Sequence, residues 1–286
     1  MALETLIDAA TLMKLLAGNR APVVVDCRFE LADPDAGRRQ FQAGHIPGAR
    51  FADLNTDLSS EPGPRSGRHP LPAPAALALA LARFGIAPDS QVVAYDAANG
   101  AFAARLWWLL RWVGHRAVAV LDGGLSAWAA AGGGLSTTVP GAASLPAYPV
   151  APQEGMLADL TEVAANIGSG AHLLIDARAV ERYAGEVEPI DTLAGHVPGA
   201  LNAPFSASLA PDGRFLPRDA LRALWGGPLA GRDPAQVIAM CGSGVTACHD
   251  LLSLEVAGLG GARLYAGSWS EWIRDPARPV AKGRAP

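Results

Sequence analysis

The 286-residue sequence predicts an α/β protein of two tandem domains, each a parallel sheet with helices on both faces. Three observations carry this expectation. The chain repeats itself: VVVDCR at 23–28 and AGHIPGARF at 43–51 return as LLIDAR at 173–178 and AGHVPGALN at 194–202. Asp26 and Asp176 lie 150 positions apart and His45 and His196 lie 151 apart, so the two copies keep register. Within each copy, short apolar runs alternate with segments of helical spacing, and the runs are apolar throughout, as in strands buried on both faces. Between the copies, residues 133–155 are rich in Gly, Pro, Ser and Thr and have neither period, which marks a linker between domains at 1–132 and 156–286.

The elements follow in order. Leu3, Leu6, Ile7 and Leu12 fit one face of an N-terminal helix, with no basic region leading into the apolar core of a signal peptide. The run at 23–28 is a strand, and the following GH-[IV]-PGA turn, with His45 or His196, occurs in both copies, so it is read as structural. Val92-Val93-Ala94-Tyr95 is a strand ending at Asp96. The segment 102–112 is a helix whose Trp107, Trp108 and Trp112 are expected to pack in the core. In the second copy Val237-Ile238-Ala239-Met240 is the matching strand, and it ends at Cys241. Both copies then pass through a helix and a strand into a Gly-Trp segment, at 121–128 and at 264–272.

Cys241 is the informative residue. It is followed by Gly242-Ser243-Gly244-Val245-Thr246 and then by helical spacing from Ala247 onward. A strand, a small-residue loop and a helix N-terminus place unpaired N–H groups and the positive end of the helix dipole around one atom. A thiolate is an anion suited to that place. Gly242 and Gly244 are expected to supply the positive φ that turns several N–H groups inward. In open parallel sheets, sites form beyond the carboxyl ends of strands. The first copy has Asp96 at that position, so one domain is chemical and the other structural.

Composition removes several classes. No run approaches the 18 or so apolar residues of a membrane span. A net charge of −4 gives nucleic acid no footing. Three scattered cysteines make no disulfide framework and point to a reducing, cytoplasmic setting. A cysteine phosphatase loop wants an Arg six residues past the thiol, where Ala247 stands. No Gly-Lys-Ser/Thr follows the glycines, so the loop is not a nucleotide-binding P-loop. Cys248 and His249 have no second ligand pair at zinc spacing, and no metal or cofactor is expected. Cys248 and Cys27 read as core residues.

The paired AGH-[IV]-PGA turns, the D-x-R strand ends and the CGSGVTAC loop resemble the tandem-domain rhodanese sulfurtransferases over nearly the whole chain. The loop is similar to that of the 3-mercaptopyruvate sulfurtransferases, whereas thiosulfate-using members carry Arg and Lys where Gly242 and Ser243 stand. The resemblance implies sulfur transfer in two steps through a Cys241 persulfide, with the backbone of Gly242, Gly244, Val245 and Thr246 at the substrate. It implies a small-molecule sulfur donor and a thiol or thioredoxin-like acceptor.

Arg182 matches the family arginine aimed at the donor, and Arg178 matches another family position, although an Arg after a strand Asp commonly forms a structural ion pair. The second carboxylate-binding Arg of the mercaptopyruvate enzymes falls at Asp191, leaving Arg214, Arg218 or a first-domain Arg to replace it. Ser243 and His69 match the family's proton relay, whose acid falls at Asn55, with Asp53 and Asp57 to either side. A solvated His69 is the competing reading. The alternative functions are a thiosulfate sulfurtransferase and a non-catalytic sulfur-binding module; loss of the loop cysteine would mark the module, and Cys241 is retained.

Overall fold

A computed structural model describes residues 2–141, 143 and 145–285. Residues 1 and 286, at the outer ends of the two expected domains, and 142 and 144, in the expected linker, lie outside it. The chain forms two compact units, and neither is continuous in sequence. The first is Met1–Ser60, Leu71–Gln153 and Pro211–Phe215; the second is Glu61–Pro70, Glu154–Ala210 and Leu216–Pro286. Residues 61–70, inside the stretch expected for the first domain, thus belong to the second unit.

The first unit holds β1 (Leu6–Ile7), α1 (Ala9–Leu16), β2 (Val23–Asp26), α2 (Ala36–Ala43), β3 (Arg50–Phe51), α3 (Pro74–Arg83), β4 (Val92–Tyr95), α4 (Ala103–Trp112), β5 (Val118–Leu121) and α5 (Gly124–Ala130). Its sheet runs β1-β5-β4-β2-β3, with every pair parallel. Val92 to Tyr95 and Val118 to Leu121 are buried along their whole length, which explains their unbroken apolar runs. The N-terminal apolar residues do not share one helix. Leu6 and Ile7 pair with Val120 and Leu121 as a strand. Asp8 then caps α1 by accepting the Thr11 N–H at 2.8 Å.

The second unit holds α6 (Leu160–Ser169), β6 (Leu173–Asp176), α7 (Val180–Tyr183), β7 (Leu201–Asn202), α8 (Arg218–Leu229), β8 (Val237–Met240), α9 (Ala247–Ala257), β9 (Arg263–Leu264) and α10 (Ser268–Trp272). Its parallel sheet runs β7-β6-β8-β9, the order of the first sheet without an edge strand. A single parallel bridge from Leu157 to Leu264 stands where β1 pairs with β5.

The repeated motifs are framework in both units. Arg28 grips Asp26 and donates to the Gly44 carbonyl at 2.7 Å; Arg178 grips Asp176 and donates to the Gly195 carbonyl at 2.7 Å. His45 stacks on Phe41 and His196 on Tyr183, each bonding its neighbour's carbonyl through Nδ1. Trp107, Trp108 and Trp112 are buried on α4. No helix among the described residues is long and apolar enough to cross a membrane.

Candidate active site

The site is built at the carboxyl end of β8. Four buried residues carry the chain to Cys241, which is itself 2% exposed. The loop folds back so that the Gly244 N–H donates to Cys241 Sγ at 3.1 Å. Gly244 has φ +75°, and a Cβ there would lie 2.3 Å from the Ala266 carbonyl oxygen, so both backbone shape and space require glycine. Gly242 is not in the left-handed region. Its requirement is close approach: a Cβ would lie 3.0 Å from Arg68 Nη2 and 3.5 Å from Arg182 Nη1. Val245 is buried, Thr246 is half-buried, and α9 begins at the next residue.

The backbone under the thiol is tied down from α10. Cys241 N–H donates to Ser268 Oγ at 3.0 Å, and that hydroxyl donates to the Tyr265 carbonyl at 2.9 Å. The Cys241 and Gly242 carbonyls accept N–H groups from Trp269 and Ser270. Ser268 is fully buried at φ +55°, an expensive place for a residue with a Cβ. In the first unit Gly124, at φ +56°, holds the matching turn, where Leu125 and Ser126 donate to the carbonyls of Asp96 and Ala97. The serine thus accepts strain where its hydroxyl holds the cysteine backbone.

Ser243 and His69 meet as expected from sequence: His69 Nδ1 and Ser243 Oγ are 2.8 Å apart, and both residues are buried. His69 is therefore not a solvated loop histidine. The neighbouring acids are engaged elsewhere. Asp53 accepts from Arg38 and from the Asn55 N–H, and Asp57 pairs with Arg83.

The cations are arranged differently from the sequence expectation. Arg178 is spent on the fold: its side chain is about 1% exposed, bonded to Asp176 and Gly195, near Glu188, and stacked 4.7 Å over Trp269. Arg28 makes the same bonds in the unit without Cys241, which favours the structural ion pair over the substrate-anchor expectation for Arg178. Arg182 binds Glu188 through Nε and Nη2 and Asp191 through Nη2 at 3.0 Å. Its Nη1 has no hydrogen-bond partner among the described residues and faces Gly242.

Asp191 also pairs with Arg68 Nη1, leaving Arg68 Nη2 close to Gly242 as well. Arg68 falls within the stretch expected for the first domain, so it is an instance of the first-domain Arg that the sequence reading left open without naming, and it directly precedes His69. Of the substitutes considered, Arg218 lies against Gly258 at the far end of α9, and Arg214 belongs to the first unit beside Gly123.

The acids behind the arginines titrate unequally. Burial opposes ionisation of Glu188, but hydrogen bonds from Arg182 and from the Asp191 and Ile190 N–H groups hold it below the usual carboxylate range. Burial wins at Asp191, raising it against the pull of Arg68, with the Glu188 charge adding to the rise. Asp250, on the first turn of α9, is fully buried with neither carboxyl oxygen hydrogen-bonded among the described residues. Burial, with Cys241 and Asp176 nearby, pushes it well above the ordinary carboxylate value.

In the first unit the matching cradle is filled by its own side chain. Asp96 follows β4 as Cys241 follows β8, and its carboxylate accepts the N–H groups of Ala98, Gly100, Phe102 and Ala103. Two loops of one design thus enclose a carboxylate in one copy and a sulfur in the other.

Comparison with known proteins agrees with this duplication. The rhodanese-like domain family matches residues 8–131 and again 159–275. The chain is 53% identical over 267 residues to a probable 3-mercaptopyruvate sulfurtransferase of Pseudomonas aeruginosa, covering 91% of this chain and 92% of that protein. It is 42% identical to a putative thiosulfate sulfurtransferase of Mycobacterium tuberculosis, covering 99% and 98%. The solved 3-mercaptopyruvate sulfurtransferase of Leishmania major aligns with a TM-score of 0.83 at 32% identity, over 96% of this chain and 76% of that one. Its two matched domains and its resemblance to these proteins along almost its full length place the chain in the rhodanese family, among the tandem-domain sulfurtransferases.

Proposed function

We propose that the protein transfers sulfane sulfur from 3-mercaptopyruvate to a thiol through a persulfide on Cys241. The observation that carries this reading is the Gly244 N–H aimed at Cys241 Sγ at 3.1 Å, at the buried end of β8 and before the N-terminus of α9. Such a donor stabilises negative charge on the thiolate before transfer and on the persulfide after it. The Cys241 thiolate attacks the donor thiol sulfur. The donor's C–S bond breaks, its electron pair leaves as the enolate of pyruvate, and a proton completes that product.

Ser243, bonded to His69, stands beside the thiol as the proton carrier for this step. The unpaired Nη1 of Arg182 and Nη2 of Arg68 converge on Gly242 and suit a carboxylate. Arg68 thereby takes the part of the arginine missing at position 191. Because Glu188 and Asp191 offset these two cations, the cluster suits a monoanionic donor better than a dianion.

The thiosulfate reading has one observation in its favour: two guanidiniums border the loop even though residues 242 and 243 carry no charge. Comparing initial rates with the two donors at equal subsaturating concentration decides between them, and mercaptopyruvate should be faster. Cys241→Ser should abolish sulfur loading from every donor, followed as added sulfur mass on the intact protein, while Cys27→Ser and Cys248→Ser keep most of it. An inactive Cys248→Ser beside an active Cys241→Ser would overturn the assignment. The acceptor is a reduced thiol or a thioredoxin-like protein, and the setting is a reducing cytoplasm that keeps the three free cysteines as thiols.

A further inference from the structure

We propose that a cavity beside the Cys241 loop, bordered by Arg68, Asp191, Ser270 and Arg274, is an acceptor subsite that takes the carboxylate of a small acidic thiol. This rests on the persulfide reading above and adds the class of molecule that collects the sulfur. The cavity has a volume of about 330 Å³, within the range of small-ligand pockets. None of residues 241–246 lines it. It shares a wall with them instead: Arg68 borders the cavity, while its Nη2 stands 3.0 Å from where a Cβ on Gly242 would be. One guanidinium separates the cavity from the loop that carries the thiol.

The charge that would hold the acceptor is Arg274. Its Nε donates to the Ser66 carbonyl at 3.1 Å, an exposed contact that orients the fork. Its two terminal nitrogens have no acid partner among the described residues, unlike Arg68 and Arg182, whose charges are shared with Asp191 and Glu188. A fixed guanidinium with both terminal nitrogens available matches a carboxylate. Ile190 and Ile273 supply apolar wall for a methylene stem. The floor is held closely: Arg68 N–H donates to Ser270 Oγ at 3.0 Å, and a Cβ on Gly67 would lie 2.4 Å from the Gly267 carbonyl oxygen.

The step this subsite serves is balanced. The acceptor thiolate attacks the outer sulfur of the Cys241 persulfide and forms a new S–S bond. The bond from that sulfur to Sγ breaks, and its electron pair returns to Cys241 as thiolate. The acceptor's thiol proton passes to solvent or to the departing persulfide, and no external oxidant or reductant is consumed.

The test compares wild type with Arg274→Gln, both first loaded with sulfur, discharging to 3-mercaptopropionate or to 2-mercaptoethanol in single turnovers. Arg274→Gln should raise the half-saturating concentration of 3-mercaptopropionate at least tenfold. It should leave discharge to the neutral thiol and the rate of sulfur loading from donor unchanged, and Arg274→Lys should recover part of the loss. Equal effects on both thiols, no effect on either, or slowed loading would overturn the subsite. A wild-type protein that never holds sulfur on Cys241 would overturn the persulfide reading itself, a result visible before any acceptor is added.

Discussion

At the scale of single residues, Cys241 is defined by what holds it. Gly244 reaches the sulfur, Ser268 anchors the backbone, and Arg182 and Arg68 each bring close to Gly242 a nitrogen with no hydrogen-bond partner among the described residues. These positions should separate binding from chemistry. Under the proposed function Arg182 holds the donor carboxylate before and during reaction, so Arg182→Ala should raise KM for 3-mercaptopyruvate with kcat less affected. The loss of a charge-assisted contact is worth about 2–3 kcal/mol, or one to two orders of magnitude in kcat/KM. Ser243→Ala removes a group that acts only as the proton moves, so kcat should fall with KM nearly unchanged. Steady-state kinetics of the two variants check this, and matching KM and kcat effects in both would refute the division of roles. Cys241 and Ser243 were legible in the loop that follows β8, whereas His69 was legible only through the family resemblance. Arg68 and Ser268 were not, because their roles come from contacts with Gly242 and Cys241, 174 and 27 positions away.

At the scale of elements, α9 carries an unusual load, since its first turn buries an acid that has no hydrogen-bond partner among the described residues. Burial, with Cys241 and Asp176 nearby, raises Asp250 well above the ordinary carboxylate value. The folded-state value is raised above the unfolded one, so the native state favours the protonated acid. Stability from this group is complete below about pH 4, the ordinary carboxylate value, and is lost as pH rises toward the folded value. Asp250→Asn mimics the neutral acid and escapes that loss. Its Tm should exceed wild type at pH 7–8, by about 1–3 kcal/mol of stability, and the two curves should converge near pH 4. Thermal melts across that range test the sign. A variant less stable than wild type at pH 8 would mean that the ionised carboxylate is stabilised by a partner. The β1 segment teaches a related lesson. Its apolar spacing fits a helix face, yet pairing with β5 and the Asp8 cap divide the stretch into a strand and a shorter helix.

At the scale of the whole molecule, one design appears twice with different occupants. The Asp96 carboxylate fills the first unit's loop with bonds from four N–H groups, so that loop has no room for a foreign anion. Its acid is itself raised by burial, against the lowering effect of those same N–H groups. Asp96→Ala should strand the four donors and lower stability by about 2–3 kcal/mol, read as a drop in Tm. Sulfur loading of Cys241 per folded molecule should stay near wild type, because Asp96 serves the fold of its own unit. Loss of loading in a variant that still melts cooperatively would give the first unit a chemical role.

The sequence by itself determined the duplication, the parallel α/β architecture and the strand-loop-helix setting of Cys241. The apolar runs, the repeated turns and the strand-loop-helix around Cys241 are local patterns whose physical consequences are local too. Tertiary structure alone decided how charge is arranged around that thiol. It joined Arg182 and Arg68 through Asp191. It also packed residues 61–70 with the second unit. Electrostatic partnership depends on distance in space, and the spacing of Arg68 and Asp191, 123 positions apart, does not report their contact.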